Sequence, residues 1–229
     1  MLIEIEGLSY FLPNDFRDIT LEEYVSINSY IEKNKITEEA TDDEKLQFYI
    51  GYLMQFGLPK HSLNKVKLYT DKDDELGIVN LFNYLFQFSQ MPTSEQVHDF
   101  QKFVHNGKWY GFNSNSLSLT GGERPMTDYT FEEYEEANSI MQSMSQVGKG
   151  DLSQLSLLCA VFYRPLVWKR FKKIIEPYDA SKVFDRANEF NTLPMDKVFK
   201  AYFFLLSQIR GYNVDMANSL IKEVQNNLN

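Results

Sequence analysis

Several features typical of secreted and membrane proteins are missing from this 229-residue sequence. Its single cysteine, Cys159, cannot form an internal disulfide, which points to a reducing cytoplasm. The N-terminus lacks the basic region and long apolar stretch of a signal peptide, and the longest apolar runs fall far short of a bilayer span. We therefore expect a soluble chain with no membrane contact.

Positive charge is also scarce. The sequence has 32 acidic and 23 basic residues, which gives a net charge of −9. Sequence-independent binding to nucleic acid needs lysine and arginine to neutralise phosphates. The charge balance therefore opposes sequence-independent binding, and we predict no specific nucleic-acid binding. A tube or ring through which DNA slides stays open as an alternative, because its walls should not bind phosphate tightly.

Motifs for catalysis and metal binding are absent as well. His61, His98 and His105 have no cysteine or acidic residues at zinc spacing, so we expect surface or interface histidines. Cys159 has apolar neighbours, which predicts a buried, inert thiol. Residues 147–153 lack the glycine spacing of a phosphate-binding loop. We predict no catalytic, cofactor-binding or metal-binding residues, and hence a protein that is not an enzyme.

Apolar and aromatic residues, by contrast, are plentiful. The sequence is 43% hydrophobic and 15% aromatic, which is too rich for a disordered chain. Its length suits one large domain or two small ones, with enough residues for a core in either case. A repeated order of sequence patterns favours two.

Two segments have the pattern of a β-hairpin. Residues 2–6 alternate apolar and acidic side chains at the strand period, Gly7 follows, and residues 8–13 can return as a second strand. Residues 99–104 lead to Asn106-Gly107, which suits a two-residue turn with positive φ, and residues 108–112 return. The sequence therefore predicts one hairpin near the N-terminus and another around residue 107.

Each predicted hairpin is followed by the same helix start. Thr20 and Thr130 each precede a glutamate by three residues, Glu23 and Glu133, as in a capping box. Residues 19–29 and 129–139 agree at six of eleven aligned positions. Two helices with a common cap would explain this match. The ordered succession of hairpin, capping box and aromatic-rich helix favours internal duplication instead.

The remaining signals are mainly helical. In chain order they are helix starts at Thr41 and Pro92, a stop at Arg164-Pro165, a cap at Asp179 for residues 180–190, a first turn at Pro194 of a helix to Ile209, a C-cap at Gly211 and a final helix over residues 214–228. We predict a mostly α (α+β) fold of two helical units, residues 1–98 and 99–229. Each unit opens with a small β-hairpin.

Four residues are candidates for contacts with partner proteins: Trp109, Tyr110, Arg164 and Tyr178. Because strand side chains alternate, Trp109 and Tyr110 cannot both face one small core, so at least one should be exposed. Packing of Trp109 over the helical core is the competing interpretation. Arg164 can bond carbonyls at a helix end or clamp a carboxylate such as Glu176. A packed turn competes with an exposed partner site for Arg164 and Tyr178.

The second half of the chain resembles a group of small tailed-phage proteins. These are tail, neck or baseplate-associated components and tail-assembly factors. The resemblance covers roughly residues 103–209, and it depends on the ordered segments Asn106–Phe112, Thr127–Tyr134, Leu157–Pro165, Ile175–Asp179, Leu193–Met195 and Ala201–Phe204. The first half follows the pattern only up to its capping box, and Leu58-Pro59 stands near the place expected for Arg164-Pro165.

The resemblance implies a non-enzymatic structural component of a tailed-phage virion, in a ring or tail assembly at the neck, tail or baseplate. Its expected partners are copies of itself, as a homo-oligomeric ring, and other phage tail or neck proteins. Its expected location is the virion, and the host cytoplasm during assembly. The alternative is a transient tail-assembly chaperone absent from the mature virion, for which the eight methionines could provide an adaptable surface.

Overall fold

The computed structural model describes residues 1–68, 77–93, 97, 102–112, 130–146 and 152–206. The chain divides into two compact units, Met1–Met91 and Pro92–Asn229. The boundary predicted from the sequence lies a few residues further along the chain. The predictions for His98, Ile209, Gly211 and residues 214–228 lie outside the described residues, as does most of the helix predicted to start at Pro92.

The first unit consists of a hairpin followed by helices. In chain order its elements are β1 (Leu2–Ile5), β2 (Leu8–Phe11), α1 (Leu21–Lys33), α2 (Asp42–Met54), α3 (Lys60–Leu63) and α4 (Ile78–Phe86). β1 and β2 are antiparallel with Ile3 opposite Tyr10. Glu6 and Gly7 form the turn with φ angles of 55° and 76°, so the glycine occupies a left-handed position that it adopts without strain.

The core of the first unit is built from one face of each helix. Leu21, Tyr24 and Ile27 of α1 are buried on a single face. The Tyr52 ring of α2 is also buried, and its hydroxyl donates a 3.0 Å hydrogen bond to the carbonyl oxygen of Leu85 in α4. The bond satisfies a polar group inside the core and ties α2 to α4.

The second unit also opens with a hairpin, and its sheet has four strands. In chain order its elements are β3 (Lys102–His105), β4 (Lys108–Phe112), α5 (Phe131–Gln146), α6 (Leu155–Phe162), β5 (Tyr163–Lys169), β6 (Lys172–Ile175), α7 (Val183–Glu189) and α8 (residues 195–206). The strand order is β3-β4-β5-β6, and every pair is antiparallel. Phe103 lies opposite Tyr110, and Tyr110 lies opposite Pro165.

Strands β5 and β6 differ from the sequence prediction of a helix stop followed by a packed turn. Helix α6 does end at Phe162, close to the predicted stop at Arg164-Pro165, but the chain then continues as β5 and returns as β6. A proline has no N–H for a strand ladder and is rare inside a sheet. Here Pro165 lies in a strand with neighbours on both sides, and its carbonyl accepts a 2.9 Å bond from the Glu176 N–H. The prediction of a turn after Pro165 is therefore wrong, because this proline lies inside a strand.

The predicted mostly α (α+β) class is confirmed, as are both hairpins and both capping boxes. At Thr20 and at Thr130, the hydroxyl accepts the N–H of the glutamate three residues on, and that glutamate accepts the threonine N–H. A third capping box, at Thr41, starts α2. Because α2 has no hairpin directly before it, capping boxes alone do not establish duplication. Internal duplication stays a prediction.

Candidate functional site

One face of the four-stranded sheet lies in the core of the second unit. It carries Phe103, Tyr110 and Tyr163, all of which are buried. Their rings cluster with Phe190, from the turn after α7, at centroid distances between 4.9 and 6.3 Å, mostly edge to face. Such aromatic clusters stabilise a core beyond their buried area. This face holds the sheet against α7.

Tyr110, one of the four candidate contact residues, belongs to this buried face. It is 1% exposed, and its hydroxyl donates a 2.7 Å hydrogen bond to Glu189 Oε2, while Lys108 Nζ donates to Oε1. Burial, reinforced by Glu189, raises the pKa of Tyr110, and the bonds from Lys108 and Tyr110 lower the pKa of Glu189. Tyr110 therefore has a role in the core, and its side chain does not reach a partner.

The opposite face carries a row of apolar side chains that solvent can reach. Val104 pairs with Trp109 across β3 and β4. The register of β4 with β5 places Leu166 beside Trp109, and Leu166 pairs in turn with Ile175. Val104 and Trp109 are 53% and 50% exposed, and Leu166 and Ile175 are partly exposed. The prediction of at least one exposed aromatic in this hairpin is confirmed by Trp109. We call these four residues the apolar row.

Helix α5 meets the other end of the same face through a buried ion pair. Arg164 lies two residues before Leu166 on β5, and its Nη1 atom is 2.9 Å from Glu133 Oε1 of α5. The two side chains are only 3% and 1% exposed. Arg164 is therefore an interior residue and not a surface contact. It does clamp a carboxylate, but its partner is Glu133 and not the predicted Glu176.

Glu133 combines this ion pair with its place in the capping box. Its Oε2 atom accepts a 2.6 Å hydrogen bond from the Thr130 N–H, while Oε1 faces Arg164. Desolvation offsets much of the attraction within a buried ion pair, so the net gain from the pair is small. Loss of either partner, however, would leave a buried charge without compensation. The pair therefore fixes how β5 sits against α5.

The hairpin of β5 and β6 ends in a cluster of cations and exposed rings, residues 168–173, which we call the basic tip. No acidic residue occurs in residues 165–175. Trp168 is 71% exposed, Phe171 is 99% exposed, and Lys173 Nζ lies 5.5 Å from the centroid of the Trp168 ring. The cations of the tip are Lys169, Arg170, Lys172 and Lys173.

The backbone at the basic tip is strained. Arg170 and Phe171 form the two-residue turn with φ angles of 46° and 69°. The other two hairpins place Gly7 and Gly107 at the second turn position, with φ angles of 76° and 72°, where glycine is favoured. A bulky residue with such a φ is an outlier. Because Phe171 is almost fully exposed, contacts within the described residues do not offset the strain.

The basic tip was not predicted, although its signal is present in the sequence. Four of the five residues in 169–173 are cationic, and they alternate with Trp168 and Phe171. The net charge of −9 for the whole sequence gives no indication of this local excess of positive charge. A count of charge in short windows would have found it.

Tyr178, the fourth candidate, lines an open cleft of about 510 Å³ together with Glu132, Glu176 and Lys182. It is partly exposed, but its hydroxyl is buried and makes no hydrogen bond within the described residues. Lys182 and Arg186 donate hydrogen bonds of 2.6 Å and 3.1 Å to the two carboxylate oxygens of Glu176. Of the four candidates, Trp109 is thus exposed, Tyr178 is exposed in part, and Tyr110 and Arg164 are buried.

The structure also shows where two of the three histidines and the single cysteine lie. His105 is 8% exposed, and its Nε2 atom lies 2.9 Å from the Glu189 carbonyl oxygen, which can only accept a bond. Of the two expectations for this histidine, surface or interface, the surface position is wrong, because strand alternation turns His105 to the same buried face as Phe103. His61 is exposed as expected. Cys159 is buried as predicted, and burial raises the pKa of its thiol.

Within the parts of the chain that the structure describes, no three histidine, cysteine or acidic side chains are grouped so that they could hold a metal ion. No helix of those parts is long and apolar enough to span a bilayer.

Comparison of this chain with protein-family models, curated proteins and solved structures found no match. The functional proposal therefore depends on the site and on the resemblance of residues 103–209 described above.

Proposed function

We propose that this chain is a non-enzymatic structural component of a tailed-phage virion and acts through protein–protein interfaces of its second unit. The observation that carries the proposal is the apolar row, which stays accessible on the open face of the sheet. The resemblance of residues 103–209 to small tail, neck and baseplate proteins supplies the class of particle. The expected partners are further copies of the chain, in a ring, and neighbouring tail or neck proteins.

The chemistry of the apolar row suits a permanent interface. Trp109 offers a large, rigid contact area, and tryptophan is enriched among residues that dominate binding energy. Contiguous exposed apolar patches on soluble proteins mark interaction sites. Its neighbours Val104 and Leu166 lie on the strands to either side, so a partner would meet a continuous surface and not a single side chain. Burial of this surface on assembly would contribute the hydrophobic part of the binding energy.

The test is Trp109→Ala in the full chain, expressed during infection by the phage that encodes it. Circular dichroism should show a folded variant, because the Trp109 ring is half exposed. Quantitative mass spectrometry of purified virions should show at least a tenfold lower copy number. Phe184→Ala is the matched control, since Phe184 is also an exposed aromatic of the second unit, at 70%. Normal incorporation of folded Trp109→Ala would remove the apolar row from the interface.

The same measurement separates the proposal from the chaperone alternative. A structural component is present in purified virions at a fixed copy number. A tail-assembly chaperone is abundant in assembling cells and depleted from finished virions. Depletion of the unaltered chain from virions would therefore overturn the structural proposal in favour of the chaperone.

A further inference from the structure

The first unit has a groove whose chemistry is complementary to the basic tip. The groove lies between the end of α1 and the start of α2 and has a volume of about 670 Å³. We call it the acidic groove and define it by the lining residues Tyr30, Phe48, Glu39, Asp43 and Glu44. One lysine, Lys35, also contributes to its lining.

Two aromatic rings give the acidic groove an apolar wall. The rings of Tyr30 and Phe48 stack with their centroids 5.6 Å apart, and the Tyr30 hydroxyl donates a 3.2 Å hydrogen bond to the Phe48 carbonyl oxygen. Both residues are partly exposed. The bond and the stacking hold the wall in place, so it can receive another ring without rearrangement.

The rim of the groove is negatively charged. Residues 38–44 contain five carboxylates: Glu38, Glu39, Asp42, Asp43 and Glu44. Hydrogen bonds from Thr41 lower the pKa of Glu44, which therefore stays ionised at neutral pH. Glu39 and Asp43 are exposed and can meet cations without disturbing that cap.

We propose that the basic tip of one copy docks in the acidic groove of a second copy. The Phe171 ring enters the groove against Tyr30 and Phe48. The cations beside Phe171, Lys169, Arg170 and Lys172, face the carboxylates of the rim. The inference depends on the proposed function, because both require that the chain associates with itself.

Charge complementarity favours a second copy as the occupant. The first unit has 16 acidic and 8 basic residues, whereas the tip carries four cations and no acid. Nucleic acid is the other polyanion that a cationic tip with exposed rings could bind. A net charge of −9 opposes that choice, and the groove supplies carboxylates together with a ring-sized apolar site on the chain itself.

The two surfaces differ from each other, so the contact is heterologous. Every copy has one tip and one groove, and contacts of this kind form a ring when the rotation closes and a filament when it does not. Docking also accounts for the strained turn. Phe171 gains contacts only when the tip is bound, so the residue that strains the free hairpin stabilises the assembly.

The first test is sedimentation velocity of the purified full chain over a concentration series at low salt. We expect reversible oligomers that dissociate in about 0.5 M salt, because the rim and tip charges are screened there. Phe171→Gly, which suits the positive φ of the turn, should raise the dissociation constant at least tenfold. Phe184→Ala should not change it. A chain that stays monomeric at every concentration would overturn the proposal.

A charge swap identifies the two surfaces. One variant reverses the tip (Lys169→Glu, Arg170→Glu and Lys172→Glu), and the other reverses the rim (Glu39→Lys and Asp43→Lys), which spares the cap at Glu44. Each variant alone should associate at least tenfold more weakly, because a reversed tip repels the carboxylates of the rim, and a groove in which two of its three lining carboxylates are replaced by lysine no longer attracts the cationic tip. An equimolar mixture should recover association, since each reversed tip meets an oppositely charged groove. Folded variants that fail to associate when mixed contradict the pairing.

Two further results distinguish the docking proposal from nucleic-acid binding by the tip and from the proposed function. If a single-stranded oligonucleotide binds the unaltered chain but not the tip reversal, and self-association is equal in both, the tip binds nucleic acid and the docking proposal is wrong. If the tip reversal still oligomerises while Trp109→Ala does not, the proposed function stands and only the tip–groove contact is overturned.

Discussion

Helix α1 of the first unit and helix α5 of the second begin with the same capping box but turn different faces to their cores. In α1, Leu21 is 2% exposed and Glu23 is exposed. At the aligned positions of α5, Phe131 is 74% exposed and Glu133 is 1% exposed. The cap therefore sets where each helix begins, while the rotation of the helix depends on what the rest of the unit offers it.

The two cores offer the glutamate different neighbours. The second unit presents Arg164, a buried cation, to the first turn of α5. In the first unit Glu23 is exposed, and its carboxylate accepts hydrogen bonds from the N–H and the hydroxyl of Thr20. A carboxylate that faces solvent needs no buried cation beside it. The two glutamates thus complete the same cap in different surroundings.

The largest expected effect is on the buried ion pair. Arg164→Met leaves the Glu133 carboxylate buried without its cation, which should lower the free energy of unfolding by about 3 to 5 kcal/mol. The measurement is urea unfolding followed by circular dichroism. The first unit provides the contrast: Arg17→Met removes an exposed pair with Asp15, at 3.2 Å, and should cost less than about 1 kcal/mol.

A double variant sharpens the same test. Arg164→Met with Glu133→Gln removes both charges and retains the capping box, because glutamine can also fill its last position. The double variant should be more stable than Arg164→Met alone, since no buried charge is left uncompensated. If the single variant is as stable as the unaltered chain, the pair does not hold α5 in its rotation.

The second effect concerns two tyrosines, Tyr10 on β2 and Tyr110 on β4, each in the second strand of a hairpin. Tyr110→Phe removes a 2.7 Å bond to the ionised Glu189 and should cost about 2 kcal/mol. In the first hairpin the Tyr10 hydroxyl lies 3.3 Å from Ser62 Oγ, a neutral partner, so Tyr10→Phe should cost about 0.5 kcal/mol. Unfolding midpoints of the two variants give the comparison directly. Equal losses would show that the hairpins are held in the same way.

The Tyr110 bond also has a pH signature. Because Lys108 and Tyr110 lower the pKa of Glu189 in the folded chain, their contribution is present above the usual value of 4.5 and is lost as pH falls through the lowered pKa. In the Tyr110→Phe variant the pKa of Glu189 should be lowered less, because one of the two bonds is missing. The free energy of unfolding of the variant should therefore fall less steeply below about pH 4.5. An unchanged acid slope would contradict the assigned bond.

Local signals of the sequence predicted more of this fold than distant ones. A capping box or an Asn106-Gly107 turn is encoded within a few residues, so hairpins and helix starts were predictable. Alternation required one exposed aromatic in the second hairpin, but only packing against Phe190 decides that Tyr110 is inside and Trp109 outside. The sequence pattern around a single residue contains no information about such a partner.

The parts that were not predicted depend on contacts between distant segments. Arg164 and Glu133 meet only because β5 brings Arg164 to the first turn of α5, and the pattern around Pro165 did not predict that strand. Fold class is confirmed, whereas duplication stays a prediction, because the shared caps also start α2. The candidate site was half predicted: Trp109 was named, and the tip around Phe171 was not.

A third, smaller effect tests whether the caps are equivalent. Thr20→Ala, Thr41→Ala and Thr130→Ala each remove a hydroxyl that accepts an N–H of the first turn, so each should cost about 1 kcal/mol. Similar losses would mean that the cap acts locally, whether its glutamate is buried or exposed. A loss at Thr130 as large as that of Arg164→Met would instead show that cap and ion pair act as one unit. Unfolding midpoints in urea decide between these outcomes.

The smallest expected effect has the opposite sign and compares the turns of the three hairpins. Phe171→Gly places glycine where Gly7 and Gly107 already stand, at a φ of 69° in the folded chain. Relief of left-handed strain, worth about 1 to 2 kcal/mol, is partly offset by the greater freedom of glycine in the unfolded chain, so we expect a net gain of about 0.5 kcal/mol. Gly107→Ala should have the reverse effect, a loss of about 1 kcal/mol.

Both variants are measured at low concentration and high salt, because association would add its own stabilisation to the folded state. A loss of stability in Phe171→Gly would mean that the Phe171 ring supports the isolated fold, and the strained turn would then need no partner to explain it.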